Sequence, residues 1–209
     1  MGFGVDILVI KKNELFKEDY FQGFKEETDK TFLNRIINKS EFKLRNEELE
    51  SDKNTKQPIP YLWIINPKTK HVFAYKRAPD ERYTEKRLRD KWSCGIGGHV
   101  DKPNEKDPTE KILLDSIRRE LEEEVNMKTY PNPKIIGYIN DDSNEVGKVH
   151  FGIVAIVETE EEVTEGDDEM VYGKLYSIEE LEQLFSSPEN EIETWTMLSW
   201  PCIKSYLLQ

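Results

Sequence analysis

Apolar positions in this 209-residue chain fall in short blocks whose period separates strands from helices. Residues 5–10, VDILVI, are apolar and largely β-branched, which predicts a strand. Residues 11–56 are mostly charged, with scattered aromatics at Phe16, Tyr20, Phe21, Phe24, Phe32 and Phe42. Within them Phe32, Leu33, Ile36 and Ile37 fit one face of a short amphipathic helix, and ELESDKNTKQ after it predicts an exposed loop. At Ile59 the texture changes. IPYLWIIN reads as a strand, NPKT as turn chemistry and HVFAYKR as a second strand, so residues 59–77 predict a hairpin. A charged loop over 78–91 leads into SCGIGGHVD, whose glycines at 95, 97 and 98 permit positive φ or close backbone approach.

The clearest helix follows. Asp107 can cap it, Pro108 suits its first position and Glu110 completes a capping box. Leu113, Ile117, Leu121 and Val125 recur every four residues and predict a buried stripe. Asn126 tolerates the left-handed conformation that ends helices. Beyond it, IIGYIN predicts a strand, DDSNEVGK a loop and VHFGIVAIVE a long buried strand. ETEEEVTEGDDE carries eight acids in twelve residues and predicts a solvated loop. KLYS reads as a short strand, IEELEQLF as a helix and 190–207 as a final helix that Pro201 bends or interrupts. The order β-β-loop-helix-β-β-helix predicts an α/β domain with a mixed sheet flanked by helices.

Charge narrows the function. The formal net charge is -12, from 42 acids and 30 bases, which argues against duplex nucleic acid as a partner. A nucleotide remains compatible, because a metal ion neutralises phosphate locally. Two cysteines, Cys94 and Cys202, do not make a disulfide scaffold. No apolar run approaches the roughly 20 residues of a membrane span. The start has neither the basic segment nor the small-residue cleavage site of a secretory signal, and Asp6 stands where acylation wants Ser or Thr. The expectation is a soluble cytoplasmic protein with no membrane partner.

The chemistry concentrates in Arg119-Glu120-Leu121-Glu122-Glu123-Glu124-Val125. Residues three and four apart share a helix face, so Glu120, Glu123 and Glu124 project together while Arg119 and Glu122 point elsewhere. Like carboxylates so placed repel, and a hard divalent cation relieves that repulsion. The plain alternative is a solvated acidic face opposite the buried stripe. Against it, the acids stand near the helix C-terminus, where the dipole disfavours negative charge, and a glycine-rich turn lies just upstream.

GIGGHVD followed by RRELEEEVNM resembles the Nudix box: Gly, five residues, Glu, seven residues, then Arg-Glu-aliphatic-x-Glu-Glu-x-Gly-aliphatic. Its second half matches at Arg119, Glu120, Leu121, Glu123, Glu124 and Met127. The resemblance covers about residues 57–185 and implies an α/β/α sandwich with a mixed sheet, here as a Nudix-like domain over 57–209 with residues 1–56 as an extension packed on it. RL(x)3WSCGIGGHVD and GYINDDSNEVGKVHFGIV resemble a poorly characterised bacterial branch of predicted phosphoesterases. Two departures stand out. Asn126 replaces the glycine after the double Glu. Gly98 to Arg119 spans 21 positions where the pattern has 14, which leaves its first glutamate open between Glu105 and Glu110.

The resemblance implies hydrolysis of a diphosphate linkage in a nucleoside diphosphate derivative, with Mg2+ or Mn2+ held by Glu120, Glu123, Glu124 and the carbonyl of Gly97. Glu123 is the first choice of base, Glu120 shares the catalytic edge, and Arg119 orients a glutamate through a salt bridge. Glu169, in the acidic run, is a candidate for one further ligand. Arg77, Gly98 and His99 are candidates for substrate contact, each weighed against an ordinary structural role. Arg82, Arg87 and Arg89 read better as solvated loop charges, His150 as a core or sheet-face histidine, and Tyr61, Trp63 and Tyr75 as hairpin core. Two rivals share the fold: an isopentenyl-diphosphate isomerase, which Cys94 and His99 superficially suggest, and a non-catalytic nucleotide sensor. Whether residues 1–56 shape the pocket or build a homodimer stays open.

Overall fold

A computed structural model describes residues 3–83, 85–103, 110–166 and 168–209. Chain order runs β1 (Asp6–Lys11), α1 (Lys12–Phe16), β2 (Gly23–Glu26), α2 (Thr31–Lys39), β3 (Glu41–Leu44), β4 (Thr55–Asn66) and β5 (His71–Arg77). It continues through β6 (Trp92–Ser93), β7 (Gly95–Ile96), α3 (Glu110–Glu124), β8 (Val125–Asn126), β9 (Lys134–Asn140) and α4 (Glu145–Val149). The last elements are β10 (His150–Glu158), β11 (Thr164–Glu165), β12 (Met170–Ser177), α5 (Ile178–Ser186) and α6 (Thr194–Leu208). The fold is α/β with a mixed sheet, as the pattern of periods predicts.

The chain divides into two compact units, and β4, α3 and β10 each contribute to both. The first comprises Met1–Tyr61, Gly97–Ile117 and Ile135–Val154. In it β1 pairs antiparallel with β3 and with the start of β4, and β2 pairs antiparallel with β9. Its core is aromatic. Phe16 and Phe32 meet Phe151 with ring centroids 5.8 and 5.9 Å away, and Tyr138 stacks on Phe151 at 5.7 Å. Helix α2 presents Phe32, Leu33 and Ile36 to this cluster, the face its periodicity predicts.

A polar knot holds the 141–149 segment of that unit. Lys56 is fully buried, and its Nζ donates to Asp142 Oδ1 at 2.8 Å and to the Gly147 carbonyl at 2.6 Å. Lys12 and the Tyr20 hydroxyl donate to the other oxygen of Asp142. Burial brings the Lys56 ammonium down to about 8, although Asp142 pulls it up. A lysine depressed in the folded state leaves the unfolded chain binding more protons at alkaline pH, so stability from this group rises as pH climbs from 8 toward 10.5. In urea titrations, wild type is therefore expected to gain stability relative to Lys56→Met between pH 7.5 and 10, by about 2 kcal/mol. A constant difference would contradict the assignment.

The second unit comprises Leu62–Ile96, Arg118–Lys134 and Ala155–Gln209. Here β5 lies between β12 and the end of β4, and β6 adds to β5 through Tyr75↔Ser93 and Lys76↔Trp92. The hairpin of β4 and β5 confirms the sequence expectation, and Tyr61, Trp63 and Tyr75 are all core residues. The register of β12 on β5 shifts between Val171 and Lys174. Tyr172, inside that bulge, has φ +60, a left-handed backbone that costs a non-glycine residue about 1 kcal/mol or more.

Five local expectations are corrected. The segment ELESDKNTKQ is not all exposed loop, because Thr55, Lys56 and Gln57 are buried in β4, and DDSNEVGK is not all loop, because α4 starts at Glu145. Asn126 does not end α3 in a left-handed turn; it lies in β8, paired with Thr164, and its amide donates to the Glu165 carbonyl at 2.8 Å. The helix end is closed instead by Gly166, whose N–H donates to the Glu124 carbonyl at 2.9 Å. The acidic run is accordingly not all solvated loop: Thr164 and Glu165 form a strand and Val163 is buried. Pro201 lies inside α6, which continues past it to Leu208, because a helix bordering a core tolerates one missing N–H when its buried face, here Trp200, Ile203 and Leu207, is retained. The proposed cap at Asp107 and Pro108 lies outside the described residues, and the described helix begins at Glu110.

Candidate active site

Helix α3 buries Leu113, Ile117 and Leu121, and Val125 follows them, so the stripe predicted every four residues is the one that anchors it. That anchoring fixes where the acids fall. Glu120 lies next to the stripe and is only 5% exposed, whereas Glu123 is more open. Arg119 turns back over this edge. Its Nη2 donates to Glu120 and its Nη1 donates to Glu123 Oε2 at 3.0 Å. Helix spacing alone directs Arg119 away from the acids, whereas the family resemblance pairs it with a glutamate; its length lets it reach two. Glu122 does point elsewhere, accepting from Arg118 at 2.8 Å.

Burial pushes the Glu120 carboxyl above its ordinary range; Glu123 adds to the rise, while Arg119 and a hydrogen bond with Glu124 pull it back. Two carboxyl groups within bonding reach must share a proton or a cation, because two bare carboxylates repel. Among the described residues no three His, Cys, Asp or Glu side chains are gathered at one point. Glu123 is turned toward Arg119 rather than toward its two neighbours.

The C-terminal end of α3 is held by close backbone contact. A Cβ on Gly166 would come within 2.9 Å of the Glu124 carbonyl carbon and of the Val125 nitrogen, so the chain passes here only as glycine. Glu169 is fixed through its backbone, whose carbonyl accepts from the Ala78 N–H at 2.8 Å.

Arg77 is not displayed to solvent. It is 7% exposed, and its Nε and Nη2 both donate to Glu193 Oε1, the latter at 3.0 Å. Its guanidinium lies over Tyr83 at 4.6 Å and over Tyr75 at 5.3 Å. Burial opposes its charge, but Glu193 and the surrounding groups, Glu124 among them, hold it charged overall. The strand-end charge inferred from sequence is thus an internal ion pair, completed by Ser93, whose hydroxyl donates to the other oxygen of Glu193. Glu193 was not singled out from sequence; an acid after an apolar residue in NEIETW carries no local signal of burial.

Gly97, Gly98 and His99 belong to the first unit. A Cβ at Gly97 would lie 1.9 Å from the Pro60 carbonyl oxygen, which explains the glycine. Gly97→Ala is expected to cost about 3 kcal/mol through this clash and to lower Tm by about 10 °C; an unchanged melting curve would contradict the close approach. His99 Nε2 is bonded to Gln57 Oε1 at 2.7 Å, and its ring meets His150 edge-on at 5.4 Å. Burial holds His99 well below its ordinary range, with His150 adding to the effect, so both rings are neutral near pH 7. A neutral imidazole offers a phosphate a hydrogen bond but no charge.

The loop arginines behave as the sequence suggests. Arg82 pairs with Asp80 and Arg87 with Glu85 on the surface, and Arg89 donates to the Tyr83 carbonyl. Cys94 is buried, its thiol pushed well up by burial, with its N–H on Thr196 Oγ1 at 3.1 Å. Such a thiol does not suit the isomerase chemistry that Cys94 and His99 suggest. Glu105 lies outside the described residues; Glu110 is exposed and 3.6 Å from Lys30.

An α/β fold with an acidic edge on a half-buried helix is compatible with a phosphoryl-processing domain, and comparison with known proteins shows the family. The NUDIX domain model matches residues 55–199, and the chain belongs to the Nudix family, hydrolases acting on phosphoric anhydride bonds. It is 32% identical over 197 residues to protein YmaB of Bacillus subtilis, a match covering 91% of this chain and 93% of that protein. The crystal structure of Tm1382, assigned to the Nudix hydrolases, superposes with a TM-score of 0.77 at 27% identity, covering 96% of this chain and 99% of that one. A bifunctional NMN adenylyltransferase/ADP ribose pyrophosphatase from Francisella tularensis, solved with AMP and a manganese ion, shares the fold at a TM-score of 0.50 and 14% identity, covering 73% of this chain and 42% of that one.

Proposed function

We propose that this chain hydrolyses the diphosphate linkage of a nucleoside diphosphate derivative with the help of Mg2+ or Mn2+. One observation carries this reading: the carboxyl contact between Glu120 and Glu124 on a buried helix edge, beside a third acid bridged by Arg119. A shared proton is a weak substitute for a divalent cation there. Hard oxygen donors in a partly desolvated place suit magnesium or manganese, so the donor set fits by its chemistry. Glu120, Glu123 and Glu124 would hold the ion, Glu123 exchanging its bond with Arg119 for that role. The Gly97 carbonyl belongs to the proposed set on sequence grounds. The manganese and AMP of the Francisella enzyme support the choice of metal and of a nucleotide-derived substrate.

When bound, the metal supplies charge neutralisation of the diphosphate and acidification of water. The chain's own residues do the rest. Arg119 orients Glu120 and limits the repulsion between Glu120 and Glu123. Glu123, the most open of the three, is the proposed acceptor of the water proton, since a base must reach solvent and substrate. Residues 57–209 are assigned to the catalytic domain and 1–56 to an extension whose Phe16 and Phe32 complete an aromatic core.

A magnesium-dependent phosphate-release screen across nucleoside diphosphate derivatives tests the proposal, with Glu120→Gln as control. Release from at least one compound in wild type, abolished in the variant and by EDTA, is the expected result. Hydrolysis that survives in Glu120→Gln would remove the site assignment.

A further inference from the structure

The bulge in β12 places an aromatic side chain where folding alone does not ask for one. Tyr172 holds a left-handed backbone although Gly173 stands next to it, and its side chain is 69% exposed, so burial does not offset the strain. Bulges re-aim side chains, and uncompensated strain collects at functional positions. Here the bulge turns Tyr172 over Trp92, with ring centroids 6.4 Å apart and planes 28° from parallel. Tyr176 meets Trp92 edge-on at 5.9 Å, and its hydroxyl donates to the Tyr172 carbonyl at 3.0 Å, closing the bulge. Lys174 Nζ lies 4.5 Å over the Tyr176 ring. These four side chains and Gly173 line an open cavity of about 490 Å³.

This cavity is on the face of the sheet opposite Arg77. Lys76 pairs with Trp92, Ala74 with Lys174 and Val72 with Tyr176, so all point one way, while Tyr75 and Arg77 alternate to the other. Tyr75, Arg77 and Tyr83, whose ring lies against Arg77, all feel the charge of Glu124. The cavity is therefore not the place where the acids of α3 act.

We propose that Trp92, Tyr172, Tyr176 and Lys174 form a second binding site, which takes a flat heteroaromatic ring bearing a phosphate: a nucleoside monophosphate. Trp92 and the outward Tyr172 offer the ring two nearly parallel faces, and stacking of a base on aromatic side chains tolerates many ring types. Lys174 stands at the rim for the phosphate. Two acids compete there. Glu180 is 4.0 Å from Lys174 but is already engaged by the Ser177 N–H, and Glu165 borders Gly173. An aromatic cage for a cation is disfavoured, because Lys174 already covers the Tyr176 face.

The test uses the full-length protein in EDTA, titrated with AMP and separately with adenosine and with ribose 5-phosphate, by calorimetry and tryptophan emission. AMP contains no anhydride bond and EDTA removes the metal, so failure here leaves the hydrolytic reading untouched. Saturable AMP binding is expected, with adenosine weaker and ribose 5-phosphate weakest. Tyr172→Gly relaxes the left-handed backbone and should retain the fold, yet weaken AMP at least about tenfold. Lys174→Ala should weaken AMP while leaving adenosine unchanged. Absence of saturable binding up to millimolar AMP, or equal affinity in wild type and Tyr172→Gly, overturns the site. A concentration-dependent self-association lost in Tyr172→Gly, with no effect on AMP, would assign the aromatic face to a second copy of this chain and also overturn it.

Discussion

Glutamine in place of Glu120 is expected to lower turnover at least about 100-fold, and in place of Glu123 or Glu124 at least about tenfold, consistent with the usual weight of acid–base and metal-ligating groups. The ranking follows from burial. Glu120 is enclosed and held by Arg119 and Glu124, so it is the most firmly positioned of the three acids. Glu123 and Glu124 share an edge with other acids, so each loss is partly covered. Steady-state kinetics across a Mg2+ titration separates the roles. A lost ligand is rescued in part by more metal, whereas a lost base is not. Equal, near-wild-type rates in all three variants would mean that this helix edge is only a charged surface.

The largest stability effect is expected at Glu193. Glu193→Ala strands the buried Arg77 guanidinium between Tyr75 and Tyr83 with no carboxylate, and removal of one partner of a buried pair costs about 3–5 kcal/mol. Glu193→Gln keeps one carbonyl oxygen as acceptor for Arg77 and turns its amide N–H2 to the Ser93 hydroxyl, which can accept, so it should lose less than the alanine variant. Urea unfolding midpoints compare the two directly. The exposed Arg82–Asp80 pair is the internal control: Arg82→Ala should leave the midpoint unchanged, since surface ion pairs contribute little. A Glu193→Ala protein as stable as wild type would show that Arg77 finds solvent or another partner.

Much of the architecture was legible because its signals are local. The β4–β5 hairpin follows from two apolar runs around a Pro-containing turn, and the buried face of α3 from apolar residues every four positions. Helix spacing places Glu120, Glu123 and Glu124 on one edge of α3, while the direction Glu123 takes, onto Arg119, is a matter of side-chain conformation that spacing does not give. What escaped the sequence depends on distant partners. Asn126 reads as a helix terminator until β11 arrives to pair with it, and Gly166 then takes over the cap from 40 residues away. Arg77 reads as an open strand-end cation until Glu193 reaches it across 116 residues. Periodicity alone reads Arg119 as pointing away, because it places Cα atoms and says nothing of how far a long side chain folds back; its pairing with a glutamate came only from the family resemblance. Tyr172 gives no sign of its left-handed backbone, since the bulge exists only in the register of β12 on β5.

Anomalous diffraction from crystals soaked in Mn2+ is the most direct test. The account predicts an ion bonded to Glu120 and Glu124, with Glu123 swung off Arg119 to join them. Manganese absent from this helix edge, or bound only among the acids of 158–169, with Glu123 still paired to Arg119, would contradict it.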